Sequence, residues 1–563
     1  MSNLIRSIVG QAFGRSGALL AALVVAAFMT LMALQPAMAQ QQNGDPPSRV
    51  GRLARLQGTV SFHTADQQQW EAATLNYPVT NGSAVWTEPG SRAALQIDAN
   101  SIELNGETEL DIAQLSDNVF AATLAQGEVF VILRSFEQGD TYVIDTPRGR
   151  VTFDQLGRYE IVAGDDRRST QVIVFDGSAR VSGDNLDVEV ARGQKLLIDG
   201  NYPQVTTSNA GIGQLDQFAS WVNANVRDPV APPQPQAVRG MTGVQDLGQY
   251  GQWDTAPEYG QVWYPRVQAG WVPYREGRWA WVEPWGWTWV AVEPWGFAPF
   301  HYGRWVETRG RWGWVPVAIV VGGGYRHRPI YAPALVTFFG NIGHSRIGIG
   351  IGGGPVGWVP LAPHEVYRPY YRTSPRYVQN INVTYVKNVN NITVINNNYG
   401  DADKFKNRRG FTAVDADVLR GSKPMHGSDQ RFVNKNDDDF KKWRVTDVDK
   451  DVKPGRDTIG VTPSVARKFN IDDADKKGRG AAGPKIEASK ANVPQFKKID
   501  ENDRNNNSGK NGPNNNNNDK GKFGPNANTN PNGFGNGKNG KDDNDGNDND
   551  RRLKGSRIPG SPV

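Results

Sequence analysis

Between residues 50 and 205 apolar and polar side chains alternate with a period of two. Examples are Thr59-Val60-Ser61-Phe62, Ser101-Ile102-Glu103-Leu104, Glu128-Val129-Phe130-Val131 and Gln171-Val172-Ile173-Val174-Phe175. Successive side chains of an extended chain point to opposite faces, so each run predicts a strand with one buried face. Asn81-Gly82, Pro89-Gly90, Asn105-Gly106, Gln126-Gly127, Asp176-Gly177 and Arg192-Gly193 fall between the runs as turn signals. Closely spaced strands with no helical interlude predict an all-β domain over 50–205, built as a sandwich, roll or β-helix.

The pattern changes after residue 246. Twelve of the seventeen tryptophans fall between Trp253 and Trp314. Trp279 and Trp281 lie two apart, as do Trp285, Trp287 and Trp289, and Trp312 and Trp314, so each cluster makes a row of indoles along one side of a strand. Gly286, Gly296, Gly303 and Gly310, with Pro284, Pro294 and Pro299, forbid a long helix. GRW recurs at Gly277, Gly303 and Gly310, and PWG at Pro284 and Pro294, at intervals shorter than those of propellers or solenoids. Residues 247–363 therefore predict one small Trp-rich β-meander, and the chain as a whole is mainly β.

The segments around these domains are less regular. Leu215, Phe218 and Val222 mark one short amphipathic helix within 206–246, followed by a stiff linker carrying Pro229, Pro232, Pro233 and Pro235. Ile347–Gly354 alternates Ile with Gly and formally contains G-x-G-x-x-G. Pro355 follows where a nucleotide-binding helix should open, so a strand is expected there. Ile381, Val383 and Tyr385 alternate with polar residues and predict an Asn-rich strand or hairpin within 364–400. Residues 401–475 are charged with scattered aromatic anchors and predict partial order, and 476–563 predict a disordered tail. The acidic stretch Asp542–Asp550 does not fit a calcium loop, because Lys541 stands where the first ligand belongs.

Arg6 and Arg15 precede an apolar run from Ala18 to Leu34 and the small-x-small site Ala37-Met38-Ala39. This predicts a signal peptide over 1–39 with cleavage between Ala39 and Gln40. No later segment is apolar enough to span a bilayer, so no membrane span is expected in the mature chain. Cysteine is absent, which excludes disulfides and thiol chemistry. Residues 51–200 carry 12 Lys+Arg against 22 Asp+Glu, 201–400 carry 15 against 10, and 401–563 carry 33 against 25. An acidic first domain and a basic remainder attract each other, or the basic part sits peripherally on an anionic envelope surface; a solvated mixed surface is the plainer reading. Nucleic acid is not an expected partner of an exported chain.

Chemistry was sought in the titratable residues. His63, His301, His327, His344, His364 and His426 show no H-x-x-x-H or H-E-x-x-H spacing, and there is no G-x-S-x-G elbow. No catalytic residue, metal or cofactor is therefore expected. The indoles have two readings. As a core, each buries about 150–250 Å² in a domain poor in Leu and Ile; as an exposed row, flat rings stack on sugars or extended peptides. Trp285, Trp287 and Trp289 are the candidate exposed row, with Trp279 and Trp281 beside them and Arg275, Arg278, Arg304 and Arg311 supplying polar and cation–π contacts.

The segments "TNGSAVWTEPGSRAALQI", "NSIELNGETELDI", "LAQGEVFVIL" and "YVIDTPRGRVTF" resemble the periplasmic FecR-type domain, whose family is named for an iron-citrate signalling regulator. That resemblance implies an interaction module and brings no catalytic residues. "GWVPYREGRWAWVEPWGWTWV", "PWGFAPFHYGRWV" and "GWVPLAPHEVYRPYYRTSPRYVQNIN" resemble the Trp-rich domain of unknown function in an uncharacterised family that joins it to a FecR-type domain. The resemblance implies a Gram-negative envelope setting, periplasmic or outer-membrane associated. The expectation is an exported, non-catalytic binding or scaffold protein whose Trp-rich face engages glycan, peptidoglycan or a protein partner. A FecR-like signalling regulator, which requires a retained membrane anchor, is the alternative, and an envelope-polymer hydrolase the third reading.

Overall fold

The computed structural model describes residues 44–65, 70–165, 167–183, 186–199, 202–206, 215–226, 235–316, 328–341, 355–382, 405–425 and 443–446. The signal cleavage site, Ile347–Gly354, most of the Pro-rich linker, the Asn-rich segment from Val383 onward and the tail lie outside the described residues. The fold is mainly β. From Gly51 to Thr206 the chain builds two nine-stranded sheets, and their inward side chains, among them Leu53, Leu95, Val129, Val131, Ile144, Ile161 and Val181, share one aliphatic core. Of the three architectures expected, the sandwich is the one formed.

The chain switches sheet every one or two strands, and glycine marks the sharpest switches. Val119–Gln126 lies in one sheet and Glu128–Leu133 in the other, with Gly127 alone between them; Gly177 divides Thr170–Asp176 from Ser178–Gly183 in the same way. Gly177 has φ +86°, and a Cβ there would lie 2.2 Å from the Tyr159 hydroxyl and 2.6 Å from the Leu156 carbonyl oxygen. Only glycine fits such a corner. The turn signals Gln126-Gly127 and Asp176-Gly177 are therefore corners between the two sheets.

The described pairings are antiparallel, with one exception: Thr141–Thr146 runs parallel to Val119–Gln126. The cause is a matter of counting. Between these two strands the chain makes a single-strand excursion into the opposite sheet, Glu128–Leu133, and returns pointing the way it left. A two-strand excursion, Gly157–Val162 then Thr170–Asp176, instead brings Ser178–Gly183 back antiparallel to Gly149–Phe153.

Glu128–Leu133 is buried on both faces. Val129 and Val131 point into the sandwich, while Phe130 and Ile132 are covered from outside by Phe218, Ala219 and Val222 of the helix Gln217–Asn225. Asp216 caps this helix, its Oδ1 accepting the Ala219 amide at 2.7 Å.

Beyond residue 246 the strands are short. One four-stranded sheet runs in the order Gly251–Ala256, Gly260–Pro265, Arg311–Val315, Arg304–Thr308, and a separate hairpin pairs Gly277–Val282 with Gly286–Ala291. A second four-stranded sheet is ordered Thr412–Val414, Val356–Pro360, Val336–Asn341, Trp443–Val445. Its outer strands come from the region where only partial order was expected. Phe405, Phe411 and Trp443 are buried in the same core, with the last two rings 5.0 Å apart. Ile381, expected in a strand, instead sits in the helix Pro375–Asn382, where it is buried on the same face as Tyr377 four residues earlier.

Gly177→Ala is expected to cost more than about 1 kcal/mol beyond the left-handed strain alone. Gly193→Ala supplies that baseline, because Gly193 has φ +77° and open space around it. Chemical denaturation of both variants compares them, and a loss at 193 equal to that at 177 would refute the corner role.

Candidate functional site

The hairpin register sets Trp279 opposite Trp289 and Trp281 opposite Trp287. All four indoles therefore share one face, as the two-residue spacing requires. Trp279 and Trp289 meet edge to face at 5.3 Å, and Trp281 and Trp287 at 5.7 Å. The row does not face solvent. Trp285, Trp287, Trp289, Trp279 and Trp281 are all buried, because the second four-stranded sheet closes over them: Trp358 and Phe338 lie 5.4 and 5.0 Å from Trp279. The proposed exposed row is thus core, and the binding surface expected on it is not there. Tryptophans take the place of the aliphatic residues this domain lacks. The neighbouring sheet repeats the device, with Trp263 opposite both Trp253 and Trp314, and Trp305 opposite Trp314.

Several indole N–H groups are anchored on backbone carbonyls: Trp263 on Leu247 at 3.0 Å, Trp305 on Pro299 at 3.0 Å, Trp314 on Tyr302 at 2.8 Å and Trp358 on Tyr274 at 2.9 Å. Trp279, Trp287 and Trp289 have no such acceptor among the described residues and pack by their faces and edges instead.

The arginines proposed for ligand contact are mostly structural. Arg304 is buried and donates to Asn382 Oδ1 at 3.1 Å and to the Gly303 carbonyl at 2.9 Å. Half-buried Arg275 reaches toward the Phe411 carbonyl at 3.4 Å. Arg278 leaves the hairpin on the face opposite the indoles, donates to Thr74 Oγ1 at 3.1 Å and lies over the Tyr77 ring of the first domain. Arg311 alone of the four is exposed, lying over Tyr264 at 4.7 Å. His301 is likewise packing: its ring lies 4.6 Å from those of both Phe297 and Tyr331, and burial pushes its pKa down to about 3.

What the structure brings together is a polar seam between the sandwich and the Trp-cored domain, which the sequence did not reveal. Arg52, fully buried, donates to Gln96 Oε1 at 2.7 Å and Asn76 Oδ1 at 2.8 Å on its own side, and to the Pro294 carbonyl at 3.1 Å and the Asp246 carboxylate on the other. Asn76, in the left-handed region at φ +60°, donates to the Glu293 carbonyl at 2.7 Å and the Ala291 carbonyl at 3.3 Å. A second knot lies nearby. Asp98 takes Arg49 at 3.0 Å and Arg328 at 2.5 Å, and Arg328 also forks onto Asp140 at 2.8 Å. Part of the charge contrast between the acidic first domain and the basic remainder is neutralised in this knot. The sequence held little signal for it: Arg49 and Arg52 stand three apart, on opposite sides of an extended chain, and form no motif.

The class defined by these features is a two-domain β protein, an antiparallel-rich sandwich joined through buried polar contacts to a tryptophan-cored domain. Residues 83–180 match the model described as FecR protein, and residues 244–365 match the Family of unknown function (DUF6600). The chain carries a FecR domain followed by a DUF6600 domain. Both domains extend past the matched segments: Gly51–Val79 and Leu186–Thr206 lengthen the two sheets, and Thr412–Val414 and Trp443–Val445 complete the second domain. None of the curated proteins matches. Among solved structures, two of a putative anti-sigma factor from Parabacteroides distasonis ATCC 8503 match, at 13% and 12% identity, each with a TM-score of 0.20 and covering 22% of this chain. This chain spans 57% of the length of each of those chains. Among the described residues, no helix is long and apolar enough to cross a membrane.

Two outcomes follow from the seam. Arg52→Ala strands Asp246 and the Pro294 carbonyl and should destabilise the protein by about 3 kcal/mol in chemical denaturation. Glu293, at the seam, is pushed up to about 7 by burial, against the Trp271 indole that donates to it at 2.8 Å. A carboxyl raised on folding contributes stability that is lost as pH rises through its folded value. Glu293→Gln should therefore melt close to the native protein at pH 5 and several degrees above it at pH 8; a pH-independent difference would refute this.

Proposed function

We propose that the protein is an exported, non-catalytic scaffold of the cell envelope whose FecR and Trp-cored domains act as one rigid interaction body. The observation that carries this reading is the buried seam. Arg52 contacts Gln96 and Asn76 on one domain and Pro294 and Asp246 on the other with directional hydrogen bonds. Such bonds fix the orientation of two bodies where an apolar contact would let them slide. Export is supported by the apolar run Ala18–Leu34 and the site at Ala39 and Gln40, and an envelope role by the FecR match. With the indole row in the core, the partner, a glycan or a protein, meets the outer polar surface. The FecR match also favours a second reading, an envelope signalling regulator.

Fractionation of cells producing the full chain, with co-sedimentation of the purified protein on sacculi, tests the proposal. The protein is expected in the envelope or periplasmic fraction, starting at Gln40 by intact mass, and to release no soluble muropeptides from sacculi. Muropeptide release would overturn the non-catalytic role and recovery from the cytosol would overturn export. A retained apolar run would favour the regulator.

A further inference from the structure

The outer face of the sandwich, where the helix Gln217–Asn225 docks, holds a group of carboxylates that the seam and the indole core do not use. Glu103 on this face has a counter-ion, Arg55, at 2.9 Å. Glu128, Glu160 and Asp216 have none among the described residues, yet one oxygen from each lies within 4.8 Å of the other two. Glu160 stands opposite Phe130 in the sheet and is 1% exposed, and its Oε1 has no hydrogen-bond donor. Asp216 spends Oδ1 on the helix cap, and Glu128 Oε2 accepts from Asn105 Nδ2 at 2.8 Å. The arginines placed on this face lie over aromatic rings: Arg158 over Phe130 at 5.5 Å and Arg92 over Trp221 at 4.1 Å.

Three uncompensated carboxylates in one place repel one another, and the fold must remove that charge. Two oxygens bound to one calcium-sized ion are at most about 4.8 Å apart, since each bond is about 2.4 Å. The spacing found here fits within that limit. The geometry points to a site for a hard, calcium-sized divalent cation, held by Glu128 and Glu160 from the sheet and Asp216 from the helix. Oxygen-only ligands without His or Cys select that class. Glu128 is half-buried and Asp216 exposed, which leaves water and an ion a way in. The cation turns the repulsion into a bridge and clamps the helix on Phe130 and Ile132. The competing answer is protonation: burial, with the Glu128 and Asp216 carboxyls close by, pushes Glu160 well above the ordinary carboxylate range.

The test uses the chelator-stripped full chain, titrated calorimetrically at pH 7.5 with calcium chloride, and with magnesium and manganese chlorides for comparison. Calcium is expected to bind at one more equivalent in the native protein than in Glu160→Gln. Loose binding by the acidic tail occurs equally in both and cancels. Asp216→Asn, which keeps a good helix cap, should weaken the site at least tenfold. Glu160→Gln should melt no lower than the stripped native protein, which shows that it folds. Indistinguishable titrations of native protein and both variants would overturn the site and leave the proton as the sole neutralising agent.

Discussion

A two-stranded hairpin hides neither of its faces, and the hairpin Gly277–Ala291 carries four tryptophans on one of them. Each indole buries about 150–250 Å², so leaving the row wet would forfeit several kcal/mol per ring. The cover comes from far along the chain. Phe338 and Trp358 belong to a sheet whose outer strands are Thr412–Val414 and Trp443–Val445. The other face leans on the sandwich through Arg278, Thr74 and Tyr77. Both domains therefore depend on this hairpin being enclosed.

Enclosure alone would allow many orientations, because indole packing is weakly directional. The seam removes that freedom. Asn76 reads the carbonyls of Ala291 and Glu293, two residues apart in the second domain, while holding Arg52, and Asp98 gathers two arginines. Buried charges are costly unless fully paired, so a slipped arrangement is penalised far more strongly than slipped apolar surfaces would be.

The sequence made the strands legible because the inward face of each is apolar: Val172 and Val174 alternate as a half-buried strand must. It also made the short helix legible, since Phe218 and Val222 mark a single apolar stripe. The fate of the indole row was not legible. Two-residue spacing says that Trp285, Trp287 and Trp289 share a side, and nothing local says what lies across from it. The covering strands Val336–Asn341 and Val356–Pro360 stand dozens of residues from the hairpin, and the outer strands that complete their sheet look, in isolation, like charged chain with stray aromatics. The arginines misled for the same reason. A guanidinium beside tryptophans reads as a recognition element, yet Arg304 is consumed by Asn382 and the Gly303 carbonyl. The seam depends on contacts such as Arg52 to Pro294, 242 positions apart, beyond any local pattern.

The alternation between the two sheets of the sandwich also governs how this domain is able to change length. Each strand pairs with partners only a few dozen positions away, as Gly149–Phe153 does with Ser178–Gly183. The domain therefore grows along one axis, each visit to a sheet resting on the last. Adding or deleting an excursion of two strands preserves the direction of everything downstream. A change of one strand reverses it and creates or removes a parallel neighbour. The parallel pair at Thr141–Thr146 is the mark of such an odd step.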